Sequence, residues 1–145
     1  MLSSMFEKRM ISQPAPRQGL KVLLVDDSAT FIEAATLFLE DLPWIGSVEI
    51  ARSAEEAIVF AAHYRPQLVL MDYEMPGASG LDALRAIKSR AGAPPVVVTT
   101  LHDPAFLYRQ ALKAGADGFV SKHELFIELP KVLERLFGHP FADRA

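Results

Sequence analysis

The chain contains no cysteine, so disulfide bridges and thiolate metal sites are excluded. Basic residues are not in excess either, since the net charge of −3 leaves no broad basic surface for nucleic acid or anionic lipid. No apolar run is long enough to cross a membrane, and residues 1–19 lack the continuous apolar core of a signal peptide. These absences predict a soluble, cytoplasmic protein that binds neither membrane nor nucleic acid directly.

The composition is that of one folded domain with a substantial core. The chain has 145 residues, of which 50% are hydrophobic. Residues 1–19 carry Pro14 and Pro16 without a sustained apolar period, which indicates a flexible N-terminal tail. We therefore predict a domain over residues 20–138 and a short C-terminal tail over 139–145. The initial Met1 and this short tail favour a protein that stands alone.

Short apolar runs alternate along the chain with segments of helical periodicity. The pattern predicts strands at 21–25, 48–51, 68–72, 95–100 and 117–120, and helices at 28–41, 53–64, 80–90, 104–113 and 125–137. A turn is predicted over 42–46, and Pro130 in or near the first turn of the last helix. Alternating strands and helices are typical of a parallel sheet covered on both faces. The predicted fold class is α/β, a flavodoxin-like doubly wound five-stranded parallel sheet of order 2-1-3-4-5.

The third predicted strand is the segment around which the rest is arranged. Its unbroken apolar run, LVLM at 68–71, is typical of a strand buried on both faces, and it leads directly into Asp72. A turn through Met75, Pro76 and Gly77 follows. Since the carboxyl ends of such strands form the ligand site of an open α/β sheet, Asp72 is predicted at the mouth of that site.

Three carboxylates are predicted to meet there although they are distant in sequence. In the 2-1-3-4-5 order the first and third strands are neighbours, so Asp26 and Asp27 lie beside Asp72, with Glu74 two residues further on. Ionised carboxylates at such short range repel one another, and a bound cation would offset this repulsion. Their hard oxygen ligands suit Mg²⁺ or Mn²⁺, which also bind phosphate oxygens.

Two further residues are predicted at the same edge of the sheet. Thr100 and Lys122 each end a strand and offer a hydroxyl donor and an ammonium to an anion on Asp72. A carboxylate in such surroundings can act as a nucleophile and form an aspartyl phosphate. Taken singly, each residue has an ordinary reading as a helix cap, a strand end or a surface lysine. The joint occurrence of all five at strand ends favours a phosphoryl site.

Four motifs, in this order, resemble those of response regulator receiver domains. They are VDDS at 25–28, MDYEMPGASG at 71–80, VTT at 98–100 and GADGFVSK at 115–122. The resemblance, over about residues 20–137, implies that Asp72 is the phosphoacceptor and that Asp26 and Asp27 hold Mg²⁺. It also implies that the backbone carbonyl of Glu74 is a metal ligand.

The same resemblance implies a switch and its partners. Thr100 matches the switch hydroxyl, Lys122 the lysine that contacts the phosphoryl group, and Phe119 the switch aromatic, here without a hydroxyl. The phosphoryl group would come from a histidine kinase or histidine phosphotransfer protein. A downstream protein would read the face formed by the fourth helix, fifth strand and fifth helix. The expected activity is limited to the protein's own phosphotransfer and dephosphorylation, so no separate enzyme activity is predicted.

Two other functions compete with this one. A small-molecule phosphohydrolase that forms an aspartyl phosphate is the alternative, but such enzymes carry a D-x-D pattern on the first strand, whereas Asp26 and Asp27 are adjacent. A DNA-binding regulator would need a helix-turn-helix, and only eight residues follow Phe137. The receiver interpretation is therefore favoured.

Overall fold

The computed structural model describes residues 19–75, 80–102 and 104–138, apart from the side chains of Pro104 and Phe106. The strands are β1 (Leu20–Val25), β2 (Ile45–Ala51), β3 (Leu68–Asp72), β4 (Val96–Thr100) and β5 (Gly118–Ser121). The helices are α1 (Ala29–Glu40), α2 (Ala54–Tyr64), α3 (Gly80–Lys88), α4 (Pro104–Lys113) and α5 (Leu125–Phe137), and a 3₁₀ turn over Lys122–Glu124 leads into α5. The predicted tails, except for Gly19, lie outside the described residues, and so do Pro76 and Gly77 of the turn predicted after Asp72.

All five strands pair in parallel in the order β2-β1-β3-β4-β5. This confirms the predicted fold class. The central strands β3 and β4 are buried along their whole length, because helices cover both of their faces. The strand-end residues after β1 and β3 are consequently neighbours.

Two hydrophobic clusters lie on opposite faces of the sheet. The alternation of side chains along each strand sends Val22 and Leu24 to one cluster and Leu23 and Val25 to the other. Helices α1 and α5 cover the first face, and α2, α3 and α4 cover the second. Among the described residues, no helix is both long and apolar enough to span a bilayer.

The segment predicted as a turn over 42–46 in fact includes the start of β2. Ile45 pairs with Leu20, and the register then shifts so that Lys21 pairs with Ser47. Gly46 is thus the extra residue of an irregularity in the ladder, a common role of glycine inside a strand. The segment from Pro43 to Gly46 indicated a turn because glycine is common both in turns and in β-bulges.

Other boundaries also differ from the predictions, mostly by a single residue. Helix α3 ends at Lys88, two residues early, and a turn with Gly92 at a φ of +70° follows it. Pro130, predicted in or near the first turn of this last helix, is the sixth residue of α5 and lies early in its second turn. The buried stripe of Leu125, Leu129 and Leu133 begins the helix before the proline, because burial outweighs the one hydrogen bond that proline cannot make.

Candidate phosphoryl site at the carboxyl edge of the sheet

The strand register gathers the candidate residues at one edge. Val25 pairs with Met71, so Asp26 and Asp72 are the next residues along two adjacent strands. Asp72 pairs with Thr99, and Thr100 pairs with Ser121, which precedes Lys122. Helix α3 begins close by, and a Cβ on Gly80 would collide with the backbone oxygen of Asp72. The close packing of α3 against β3 therefore requires glycine there.

Three carboxylates form the acidic part of the site. One ligand oxygen each from Asp26, Asp27 and Asp72 can be chosen so that all three lie within 4.8 Å of one another. Asp26 and Asp72 are buried and Asp27 is exposed, so the cluster opens to solvent on the Asp27 side. The structure thus brings together the three carboxylates that the sequence singled out.

Lys122 enters this cluster as its cation. Its Nζ lies 2.7 Å from Asp26 Oδ2 and 3.3 Å from Asp72 Oδ1, and its side chain is only 7% exposed. Ion pairs this deeply buried are screened little by salt. The ammonium therefore bridges the two buried carboxylates, whereas the sequence predicted a contact with an anion carried on Asp72.

The pKa of Asp72 is raised from 3.8 to about 6. Burial is the main cause, and repulsion by Asp26 adds to it. A hydrogen bond of 3.1 Å from the backbone N–H of Glu74 and the charge of Lys122 oppose the rise. A carboxyl group with this pKa remains mostly ionised at neutral pH and is available as a nucleophile.

Thr100 lies at the edge of the site, but its hydroxyl is bound elsewhere. It donates to Glu74 Oε1 at 2.5 Å and accepts from the backbone N–H of His102 at 3.1 Å. The other Glu74 oxygen lies 2.8 Å from His102 Nε2. The Glu74 carboxylate thus holds the hydroxyl that was predicted to serve the anion on Asp72.

His102 and Phe31 contact the site residues but were not predicted from the sequence to belong to the site. His102 follows Thr100 by two residues, and its exposed ring is bound to Glu74. Phe31 lies in the first turn of α1, and its ring centroid is 4.5 Å from Lys122 Nζ. The spacing DDxxxF, with an aromatic five residues after Asp26, was the only sequence signal for this contact.

Phe119, the predicted switch aromatic, is only partly buried. Its ring meets that of Tyr108 on α4, with centroids 5.9 Å apart and planes inclined by 60°. Phe119 also packs against the cluster on the α2, α3 and α4 face of the sheet. The ring therefore lies between β5 and α4, on the face predicted to bind a partner.

The donor set fits a hard divalent cation. Asp26 Oδ2 is buried and makes no aligned hydrogen bond, although the Lys122 ammonium lies beside it. Buried oxygens without such a partner, next to a second and a third carboxylate, are ligands that Mg²⁺ and Mn²⁺ accept. The predicted role of the Glu74 carbonyl remains a prediction.

Comparison with known sequences agrees with this geometry. The family described as "Response regulator receiver domain" matches residues 22–134. The protein-glutamate methylesterase/protein-glutamine glutaminase of Idiomarina loihiensis is 39% identical over 104 residues, which are 71% of this chain and 27% of that protein. A protein of the same description from Pseudomonas syringae pv. syringae is 39% identical over 106 residues, or 72% of this chain and 28% of its own length. The match thus covers little more than a quarter of these relatives.

Solved structures give the same result. A LuxR-family two-component response regulator from Aurantimonas superposes with a TM-score of 0.76 at 30% identity, covering 81% of this chain and 84% of the other. The response regulator domain of Thermotoga maritima CheB gives a TM-score of 0.74 at 26% identity, with coverages of 81% and 95%. Vibrio cholerae CheY4 gives 0.73 at 26% identity, with coverages of 82% and 99%.

Proposed function

Because this chain belongs to the response regulator receiver domain family of two-component signalling, we propose that Asp72 accepts a phosphoryl group and thereby switches a partner-binding face. The donor is a phosphohistidine of a histidine kinase or histidine phosphotransfer protein. The observation that carries the proposal is the buried Asp72, bridged to Asp26 by Lys122 at the carboxyl edge of the sheet.

The proposed reaction is a transfer between two side chains. A carboxylate oxygen of Asp72 forms a bond to phosphorus as the bond from phosphorus to the donor imidazole breaks, and the imidazole keeps the electron pair. The pKa of about 6 supports this role, since Asp72 is ionised at neutral pH. The Lys122 ammonium is placed to contact the phosphoryl oxygens, because it already contacts Asp72 Oδ1.

Mg²⁺, or Mn²⁺ in its place, is the proposed cofactor. Asp26, Asp27, Asp72 and the backbone carbonyl of Glu74 would hold it. When bound, the cation offsets the negative charge that the phosphoryl oxygens bring to an acidic cluster. The solvent-exposed Asp27 leaves the cluster open on one side, which supports access for both the cation and the donor.

The switch proposed for this domain begins at Thr100. On phosphorylation the Thr100 hydroxyl exchanges its hydrogen bond to Glu74 for one to a phosphoryl oxygen. This movement of Thr100 vacates space into which the Phe119 ring can turn. The contact of Phe119 with Tyr108 supports this route, since it ties the ring to α4. The downstream protein then reads the face formed by α4, β5 and α5. The absence of direct nucleic-acid binding remains a prediction.

The domain itself is proposed to span residues 20–138, with tails on both sides, and to act in the cytoplasm. Its proposed chemistry is confined to its own phosphotransfer and dephosphorylation. Methylesterase and glutaminase activity belong to the longer relatives by name, and the match covers 27% of the first of them.

The direct test is phosphorylation by acetyl phosphate. With Mg²⁺ the wild-type protein should gain one acid-labile phosphoryl group, measured by intact mass. Asp72→Asn should gain none, because the amide cannot act as the nucleophile, and EDTA should prevent the gain in wild type. Asp82→Asn is the matched control, since Asp82 is an exposed aspartate on α3 outside the acidic cluster, and it should behave as wild type.

Modification that persists at the wild-type level in Asp72→Asn would refute the assignment of the acceptor. Unchanged labelling in EDTA would refute the need for a divalent cation. Steady release of phosphate from a small phosphomonoester would instead support the phosphohydrolase alternative.

A further inference from the structure

We propose that Phe31 is a positioning residue for phosphotransfer, whose ring holds the Lys122 ammonium over the acidic cluster. This inference rests on the proposed function of Asp72, because it assigns Phe31 a part in the same reaction. Phe31 belongs to none of the four motifs that indicated the site, and its contact with Lys122 was not among the predictions from the sequence.

The ammonium of Lys122 has three partners among the described residues. Two are the carboxylates of Asp26 and Asp72, and the third is the ring of Phe31, with its centroid 4.5 Å from Nζ. An ammonium within about 6 Å of a ring centroid is attracted by the negative face of the ring. Since the Lys122 side chain is only 7% exposed, this attraction is little weakened by water.

The position of Phe31 is itself fixed by the acidic cluster. Asp26 Oδ1 accepts from the backbone N–H of Ser28 at 2.8 Å, and Ser28 Oγ caps α1 by accepting from the backbone N–H of Phe31 at 3.3 Å. The ring of Phe31 then meets Lys122, which returns to Asp26 through Oδ2 at 2.7 Å. These contacts form a closed circuit in which one carboxylate fixes both the lysine and the residue that carries the ring.

The ring differs from the carboxylates in one chemical respect. A hard divalent cation binds carboxylate oxygens and repels an ammonium, so it competes with Lys122 for Asp26 and Asp72. The phenyl ring offers no oxygen ligand and does not take part in this competition. Phe31 therefore gives the ammonium a partner that remains available when the carboxylates bind a metal ion.

Phe31 also packs against the hydrophobic cluster beneath α1 and α5, so a purely structural role must be separated from positioning. Fluorination separates the two, because added fluorine withdraws charge from the ring face while its apolar bulk is largely kept. Phe38 on the same helix is the matched control. Its ring pairs with Phe126, at a centroid distance of 4.8 Å, rather than with a cation.

The experiment replaces Phe31 in the full chain with mono-, di- and trifluorophenylalanine, and Phe38 likewise. The rate of phosphorylation by acetyl phosphate at saturating Mg²⁺ should fall stepwise along the Phe31 series, reaching a loss of roughly 2- to 30-fold when the attraction is abolished. The Phe38 series should stay at the wild-type rate. Thermal unfolding of each protein checks that the folded state is kept.

A second measurement uses unphosphorylated, metal-free protein. The ε-methylene protons of Lys122, assigned by comparison with Lys122→Met, should be shifted upfield by the ring of Phe31 and should lose that shift in Phe31→Leu. Phosphorylation of Asp72 at one rate throughout the Phe31 series would overturn the role of Phe31 alone. Lys122 ε-methylene resonances that show no upfield shift in the wild-type protein would also overturn the role of Phe31. A wild-type protein that takes no phosphoryl group on Asp72 would overturn the proposed function and this role with it.

Discussion

Asp26 shows how much one side chain contributes to this site. Its Oδ1 accepts from the backbone N–H of Ser28, which opens α1, while its Oδ2 contacts the Lys122 ammonium. Its negative charge also raises the pKa of Asp72 by repulsion. A residue that the sequence marked as a metal ligand therefore also organises the helix start, the cation and the acidity of the neighbouring carboxyl group.

The raised pKa of Asp72 predicts that its ionisation destabilises the metal-free fold. In the unfolded chain this group titrates near 3.8, and in the folded protein near 6, so the folded state binds more protons between these values. Stability is therefore lost as the pH rises from about 4 to about 6. Asp72→Asn should raise the free energy of unfolding at pH 7.5 without Mg²⁺ by about 1–3 kcal/mol.

Denaturant unfolding of both proteins at several pH values measures this difference. The advantage of Asp72→Asn over wild type should shrink as the pH falls below about 6 and approach zero at about pH 3, because Asp72 is then largely protonated in both the folded and the unfolded wild-type chains. Asp82→Asn serves as the control for a surface aspartate. A difference that does not vary with pH would contradict the assigned cause.

At the scale of elements, the loop after β3 is bound to both β4 and α4. Tyr73 donates its backbone N–H to the carbonyl of Thr99 at 2.9 Å and its hydroxyl to Gln110 of α4 at 2.7 Å. Glu74, the next residue, holds Thr100. The segment that follows Asp72 is thus joined to the two elements that the proposed switch moves.

A partly buried acid, Asp117, stabilises the opposite edge of the sheet. Asp117 Oδ2 accepts from the backbone N–H of Val96 at 2.8 Å and from Lys88 Nζ at 2.8 Å, and Lys88 also donates to the carbonyl of Pro94 at 3.1 Å. This group joins α3 to the starts of β4 and β5, far from the phosphoryl site.

Asp117→Ala should therefore lower the free energy of unfolding by about 1–3 kcal/mol, because the buried N–H of Val96 loses its acceptor. Asp117→Asn should cost less, since its amide oxygen can still accept from that N–H. Urea unfolding gives the comparison, with Asp82→Ala as a control expected within about 0.5 kcal/mol of wild type. If Asp117→Ala unfolded with the wild-type free energy, the contacts of Asp117 with Val96 and Lys88 would contribute nothing to stability.

At the scale of the whole molecule, the site and the proposed output face are connected through the second hydrophobic cluster. Met71, which precedes Asp72, lies in that cluster, and Phe119 packs against it from β5. Small rearrangements at Thr100 therefore have a packed route to α4. Close-packed interiors transmit such changes as discrete alternatives rather than gradual deformations.

Beryllofluoride, which mimics the phosphoryl group on an aspartate, should shift amide resonances in Phe106–Lys113, Asp117–Val120 and α5, as well as around Asp72. Burial of the Phe119 ring is worth roughly 1.5–3 kcal/mol, enough to change a two-state ratio about tenfold or more. Phe119→Ala should therefore shrink the distant shifts while beryllofluoride still binds. Phe60→Ala, which truncates another partly buried ring against the same cluster, is the control.

Shifts confined to the surroundings of Asp72 would show that the domain takes up phosphate without passing on a signal. Equal loss of the distant shifts in Phe60→Ala would show that general loosening of the cluster, rather than rotation of Phe119, had removed them.

The sequence by itself determined the order of elements, the fold class and the residues at the strand ends. Apolar runs and helical periodicity are local patterns, and the parallel topology then requires that Asp26, Asp72 and Lys122 meet at one edge. Errors were confined to boundaries such as the start of β2, where Gly46 resembled a turn residue. Boundaries depend on the register of the neighbouring strand, which no local pattern contains.

Only the tertiary structure decided which side chain binds which. Glu74 holds Thr100, Lys122 bridges Asp26 and Asp72, and the ring of Phe31 covers that ammonium. Phe31 and Lys122 are 91 positions apart in the sequence, and their contact depends on strand register, helix orientation and rotamer together. A carboxylate or ammonium has several chemically acceptable partners within reach, so its choice follows from packing and from the burial of the alternatives.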